Sequence, residues 1–160
     1  MSIEKSYLIN QEFMSMAGYL DRYGKTFTLV YEFNKMFLVD QSPKEILEDS
    51  IREVGFNLKG ALESSKRDLG DIHMLPLMVN PILGITVFPT KSHKHEDVIW
   101  FNPNHIKRTR GKKKLTIVVF RNGQTIIVHM KLAFFNNKLF IAERFRDDKI
   151  EGGKNPSSVS

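Results

Sequence analysis

The sequence predicts an α+β fold, mainly antiparallel β-sheet, with a two-residue-loop hairpin over 115–130 and one or two packing helices. Three observations lead there. The first forty residues hold short runs rich in aromatic and β-branched side chains, Ser42 opens a strongly marked helix, and an Asn122-Gly123 pair separates two aliphatic runs. With 160 residues and 41% apolar content, one α+β domain over 1–146 followed by a disordered tail over 147–160 is expected.

In order along the chain, Tyr7–Ile9, Phe13–Tyr19, Thr26–Glu32 and Met36–Val39 read as strands of an amino-terminal meander. Asp21-Arg22-Tyr23-Gly24-Lys25 forms a hairpin turn in which Gly24 takes a positive φ. Ser42-Pro43-Lys44-Glu45 is a capping box with proline at the first helical position, where its missing amide costs nothing. Ile46, Leu47, Ile51 and Val54 follow at helical spacing, and Gly55 stops the helix, which gives 43–54. Residues 56–70 are partly helical or an exposed loop, since Leu58, Leu62 and Leu69 suit a helix and the polar run 63–68 suits either.

Prolines 76, 81 and 89 then bound two strand runs, Leu77–Val79 and Ile82–Phe88, because proline lacks a ladder amide. Thr90–Asp97 is a loop, Val98–Phe101 a strand with Trp100 and Phe101 in the core, Asn102-Pro103-Asn104 a turn, and His105–Arg108 a short extended stretch. The Asn-Gly pair predicts a type I′ turn pairing Val119 with Ile126 and Ile117 with Val128, so that the Leu115, Ile117, Val119 face is buried and the Thr116, Val118, Phe120 face half covered. Beyond it, Leu132–Phe135 and Leu139–Ile141 form a short helix closing the sheet, with strand as the alternative. The hairpin and the 76–101 strands are expected to make a core packed against the 43–54 helix.

Charge is distributed unevenly. Residues 1–90 carry 9 basic and 12 acidic side chains and residues 91–160 carry 15 and 6, so the halves stand at −3 and +9. From Val98 to Ala142 there are nine Lys and Arg and no Asp or Glu. Ordinary surfaces intersperse both signs, so an acid-free strip of this length favours a polyanionic partner over a merely solvated face. Lys112, Lys113 and Lys114, placed before a stiff hairpin, suit a flexible basic arm entering a DNA groove.

Other chemistry finds little support. With 0 Cys there are no disulfides, thiolate metal sites or cysteine nucleophiles, which is compatible with a reducing cytoplasm. No signal peptide or membrane span is read. His93 and His95 beside Glu96 and Asp97 alternate as a metal-binding edge would, but third and fourth ligands are lacking. His129 reads as a structural histidine and His105 as one that holds a phosphate or a turn. Phosphate-cradling Gly-rich loops and nucleophile elbows do not occur, so no catalytic residue, cofactor or metal is expected and the chain is read as a non-enzyme.

Pro76-Leu77-Met78-Val79-Asn80-Pro81, then Ile85-Thr86-Val87-Phe88-Pro89-Thr90-Lys91-Ser92, then Ile99-Trp100-Phe101-Asn102 with His105-Ile106, and finally Val119-Phe120-Arg121-Asn122-Gly123 together resemble the signature of the competence transcription factor (ComK) family. That signature runs from a proline-bounded hydrophobic segment through F-F-P-T-x-S and W-I-N-x-x-H-I to a V-x-F-x-N-G hairpin. Gly55, Phe56, Leu58 and Gly60 are similar to a weakened form of the family's upstream segment. The resemblance covers a little over half the chain.

It implies a bacterial, cytoplasmic and nucleoid-associated activator of DNA-uptake genes. Such a protein binds paired AT-rich boxes of double-stranded DNA through the minor groove as a homo-oligomer, and is removed through a proteolytic adaptor. Narrow A·T grooves attract Arg and Lys without a recognition helix, in keeping with the lack of a helix-turn-helix pattern. The candidate DNA contacts are Lys91, Lys94, His105, Lys107, Arg108, Arg110, Lys112, Lys113, Lys114 and Arg121. Ala61 and Leu62 stand where family members carry basic residues, and after Arg146 the chain departs from the family's longer carboxyl-terminal extension, so a short or divergent paralogue is expected and adaptor recognition is left open. Two other classes remain open: a protein-interaction paralogue that modulates a full-length activator, and a general binder of RNA or anionic membrane.

Overall fold

The structure is a computed structural model that describes residues 2–70, 75–91 and 97–154, with side chains to Glu151. In chain order the elements are β1 Ile3–Glu4, β2 Phe13–Leu20, β3 Thr26–Glu32, β4 Met36–Val39, α1 Pro43–Glu53, α2 Leu58–Leu69, β5 Leu77–Asn80, β6 Ile85–Pro89 and β7 Ile99–Phe101. A 3-10 turn at Pro103–His105 leads to β8 Ile106–Lys112, β9 Leu115–Phe120, β10 Thr125–Val128 and α3 Leu132–Lys154. Seven strands form one sheet in the order β1-β4-β3-β2-β7-β6-β5, and β10-β9-β8 form a second. Among the described residues every pairing is antiparallel except β1 with β4, so the expected α+β, mainly antiparallel class holds.

Both faces of the large sheet are buried, and the two-residue period of its strands sorts side chains between them. Phe13, Val30, Val87 and Trp100 face α1 and α2, joined by Ile46, Leu47 and Ile51. Met14, Phe88 and Phe101 face the other way, against Ile106, Val118, Phe120 and Val128 of the small sheet and Phe135 and Ala142 of α3. A bulge between Phe13 and Ser15 makes this possible, since it returns Met16 to the α1 side after Met14 has turned to the other. The 115–130 hairpin thus packs beneath α3 on the face opposite the 43–54 helix, which corrects the expected single core. The second face is held by aromatic rings: Phe101 lies 5.7 Å from Phe88, 6.0 Å from Phe120 and, edge-on, 5.4 Å from Phe135.

Local signals account for most elements. Glu45 N donates to Ser42 Oγ at 3.2 Å and Ser42 N to Glu45 Oε1 at 3.1 Å, completing the capping box of α1. The ambiguous 56–70 segment is helical over 58–69 because Asn57 Oδ1 accepts from Gly60 N at 2.7 Å, a cap overlooked in the sequence. Its inner stripe includes Leu58, Ala61 and Leu62 against the core and the buried Ser65, which donates to Pro76 O at 2.6 Å.

Three expectations change. Tyr7–Ile9 is not a strand: Tyr7 N donates to Gln41 Oε1 and Ile9 N to Ser50 Oγ, so side chains take the place of a neighbouring ladder. Tyr7 Oη donates to the buried Glu32 carboxylate at 2.6 Å, and burial, then this carboxylate, push the phenol above its usual pKa. Of the Ile82–Phe88 run only Ile85 onward is strand, because Asn80 Oδ1 accepts from Ile82 N and Leu83 N, both at 3.0 Å, and turns residues 81–84. Past residue 146 the helix continues to Lys154, held where Lys149 meets Asp68 at 2.8 Å and Ser64 at 2.7 Å. Residues 155–160 of the expected tail lie outside the described residues.

Truncating Phe135 removes the ring that joins α3 to Phe88 and Phe101. Phe135→Ala is expected to lower stability in urea by about 3–5 kcal/mol. Hydrogen exchange should rise first in β8 and β9 and last in α1.

Candidate nucleic-acid interface

The hairpin that carries the basic strip is built by alternation. Thr109 and Gly111 turn inward, where Thr109 Oγ1 donates to Asn136 Oδ1 at 2.6 Å and a Cβ on Gly111 would lie 3.2 Å from Leu132. Arg108, Arg110 and Lys112 therefore turn outward, paired with Val119, Ile117 and Leu115 of β9. Neighbours on one strand face lie about 7 Å apart, so the three cations form a straight row along a strand that, among the described residues, pairs only with β9. Lys107 sits at a bulge between Ile106 and Arg108 and adds a fourth exposed charge.

Lys113 and Lys114 form the connection from Lys112 to Leu115, and Lys113 takes a left-handed φ of 57°. The expected flexible basic arm is in fact a tight two-residue turn, because β8 runs on to Lys112 and leaves no slack. Lys107, Arg108, Arg110, Lys112, Lys113 and Lys114 are all exposed, and among the described residues none has an acidic partner. Beside the tip, α3 begins at Leu132 with Lys131 just before it and no acid in its first turn. The positive end of its helix dipole lies next to Gly111.

The second connection differs from the expected type I′ turn. Gly123 N donates to Phe120 O at 3.0 Å and Phe120 N to Gln124 O at 2.9 Å, a three-residue loop closed by left-handed Gly123 at φ 91°. The register pairs Val118 with Ile126 and Thr116 with Val128, one residue from the expected pairing. The buried face of β9 is consequently Thr116, Val118 and Phe120, while Leu115 and Ile117 share the outer face with the row of cations. Asn122 explains the change: its Nδ2 donates to Phe33 O at 2.9 Å and its Oδ1 accepts from Gln124 N at 3.0 Å, tying the loop to β3's end.

The remaining candidates are placed apart from the row. His105 is an anchor for the turn, donating from Nε2 to Gln11 O at 2.6 Å. Arg121 borders it, its Nε donating to Asn104 O at 2.9 Å and its backbone N to His105 O at 2.9 Å. Lys91, at the end of β6, pairs with Asp97. Lys94, and His93, His95 and Glu96 of the metal reading, lie outside the described residues, and Asp97 is the partner of Lys91. His129 is exposed, not the structural histidine expected. Among the described residues no helix is long and apolar enough to cross a membrane. Sequence reasoning missed Asn136 and Leu132, whose contacts aim β8, because nothing in a helix sequence names the strand it supports.

The profile of the ComK protein family matches residues 4–150. The chain belongs to the ComK family. A competence transcription factor of Bacillus subtilis (strain 168) is 27% identical over 118 residues, 73% of this chain. The chain spans 62% of the length of that relative. No solved structure matches this ComK-family chain.

Left-handed Lys113 separates the geometry of the tip from its charge. Lys113→Gly relieves the strain that a Cβ meets at positive φ and is expected to raise stability by about 0.5–1 kcal/mol. A loss of stability in urea would contradict the turn described.

Proposed function

We propose that this chain is a sequence-preferring DNA-binding transcriptional regulator, an activator of competence and DNA-uptake genes. It holds AT-rich duplex against the outer face of β8 and the Lys112–Lys114 turn. The observation that carries this reading is the set of six exposed cations on one hairpin, none with an acidic partner among the described residues. Support also comes from the family and from the named role of its Bacillus subtilis relative.

Mechanistically, Lys107, Lys112, Lys113 and Lys114 neutralise phosphates while Arg108 and Arg110 reach into the groove. Minor grooves over A·T tracts are narrow and strongly negative, so they draw in arginine side chains while excluding the backbone that carries them. Arg121, held at the Asn104–His105 turn, stands apart from the row. The target is read as paired AT-rich boxes bound by more than one copy of the chain at the nucleoid, with removal through a proteolytic adaptor.

If all six cations engage phosphate, log affinity against log salt should fall with a slope of about −5, from roughly 0.9 per contact. Arg108→Glu with Arg110→Glu is expected to abolish binding to AT-rich duplex in a mobility-shift titration while the thermal midpoint stays within a few degrees. Undiminished binding by that variant rejects the assignment. Stronger competition by RNA or anionic vesicles than by AT-rich duplex would move the reading to a general polyanion binder.

A further inference from the structure

We propose that the turn joining β5 to β6 is an apolar wedge that inserts Ile82 and Leu83 between base pairs of the bound duplex. This rests on the DNA-binding reading above. Turns of four residues are usually polar, because they contribute little burial and their amides need water or side-chain acceptors. Here Pro81-Ile82-Leu83-Gly84 leaves Ile82 83% and Leu83 46% exposed. Folding gains almost nothing from Ile82, so its apolar surface is better suited to a surface buried later.

The tip is braced from behind. Asn80 Oδ1 accepts from Ile82 N and Leu83 N, both at 3.0 Å, and Pro81 fixes its own φ. Gly84 takes a left-handed φ of 69°, and Ile150 of α3 comes so close that an added Cβ would lie 2.8 Å from its Cδ1. A rigid support means that little side-chain and backbone freedom is lost when the tip enters a confined site.

One residue, Asn104, links it to Arg121 and to the start of the strand that carries the cations. Asn104 Nδ2 meets Gly84 O at 3.5 Å, while Asn104 O accepts from Arg121 Nε at 2.9 Å and Asn104 Oδ1 accepts from Arg146. Two residues further on, β8 begins, with Lys107 at its bulge. Apolar wedges flanked by Arg and Lys are how minor-groove binders open a base step, and pyrimidine–purine steps such as TA open most easily. One or two aliphatic side chains suffice for that task. A stable protein interface, in contrast, needs about 800 Å² on each partner, more than two turn residues supply. The neighbouring cleft of about 410 Å³ is lined by Phe56, Pro81 and Phe145 but not by Ile82 or Leu83.

The test uses the full chain and an AT-rich duplex with 2-aminopurine at a central TA step and a donor–acceptor dye pair at its ends. The unaltered chain is expected to raise 2-aminopurine emission by unstacking and to shorten the end-to-end distance. Ile82→Ala with Leu83→Ala should still bind, about tenfold more weakly and with the same salt slope, but lose both signals. Ile82→Met alone should keep them. Binding by the unaltered chain without a rise in emission, or equal unstacking by the double variant, overturns the wedge and leaves the DNA reading standing. A double variant that changes the mass of the free protein while its unstacking persists marks a protein contact and overturns it too. Failure of the unaltered chain to bind duplex at all sinks the DNA reading first, and the wedge with it.

Discussion

Burial of both faces of the seven-stranded sheet is the constraint from which the rest follows. Strand residues alternate, so a sheet with Trp100 on one side must dispose of Phe101 on the other. Two helices cover the first face, and the small sheet with α3 covers the second through Phe120 and Phe135. Once β9 gives Thr116, Val118 and Phe120 to that core, its partner β8 turns Thr109 and Gly111 toward α3, and Arg108, Arg110 and Lys112 face water. Arginine and lysine at 108, 110 and 112 are thus set in a row by the same period that packs phenylalanine beneath them.

An edge strand bearing lysine also resists pairing with other strands, a purely protective role. Protection alone explains neither a turn of three successive lysines nor a helix start without an acid beside it. In contrast, α1 carries Glu45 in its first turn, where it satisfies the cap and complements the dipole. The proximal half, at −3, supplies both helices that cover the opposite face, and the distal half, at +9, supplies β8. Such asymmetry orients a polyanion before contact and concentrates it on one side of the molecule.

Much of this was legible in the sequence, and the failures have physical causes. β3, β4 and α1 were placed to within a residue because alternation and a capping box are local and redundant. The charge strip needed only counting. The register of β9 and β10 is not legible locally because Asn122 has two uses, and a bond to Phe33 some ninety residues earlier decides between them. The last turns of α3 look disordered by composition, yet Asp68, Ser64 and Gly84 hold them from distant parts of the chain. The flexible arm became a tight turn because β8 is kept extended by Asn136 and Leu132, partners that no local pattern announces. Of the candidate residues, Lys107, Arg108, Arg110, Lys112, Lys113 and Lys114 are exposed on one hairpin, while Lys91 is paired with Asp97.

The central claim is that the outward row on β8 is the surface that meets DNA, and lysine footprinting addresses it most directly. The free chain and the chain saturated with AT-rich duplex would be acetylated briefly and each lysine followed by mass spectrometry. Lys107, Lys112, Lys113 and Lys114 should lose reactivity in the complex while the exposed Lys44 and Lys59 on α1 and α2 keep theirs. Protection confined to Lys44 and Lys59, with the β8 lysines as reactive as before, would contradict the account.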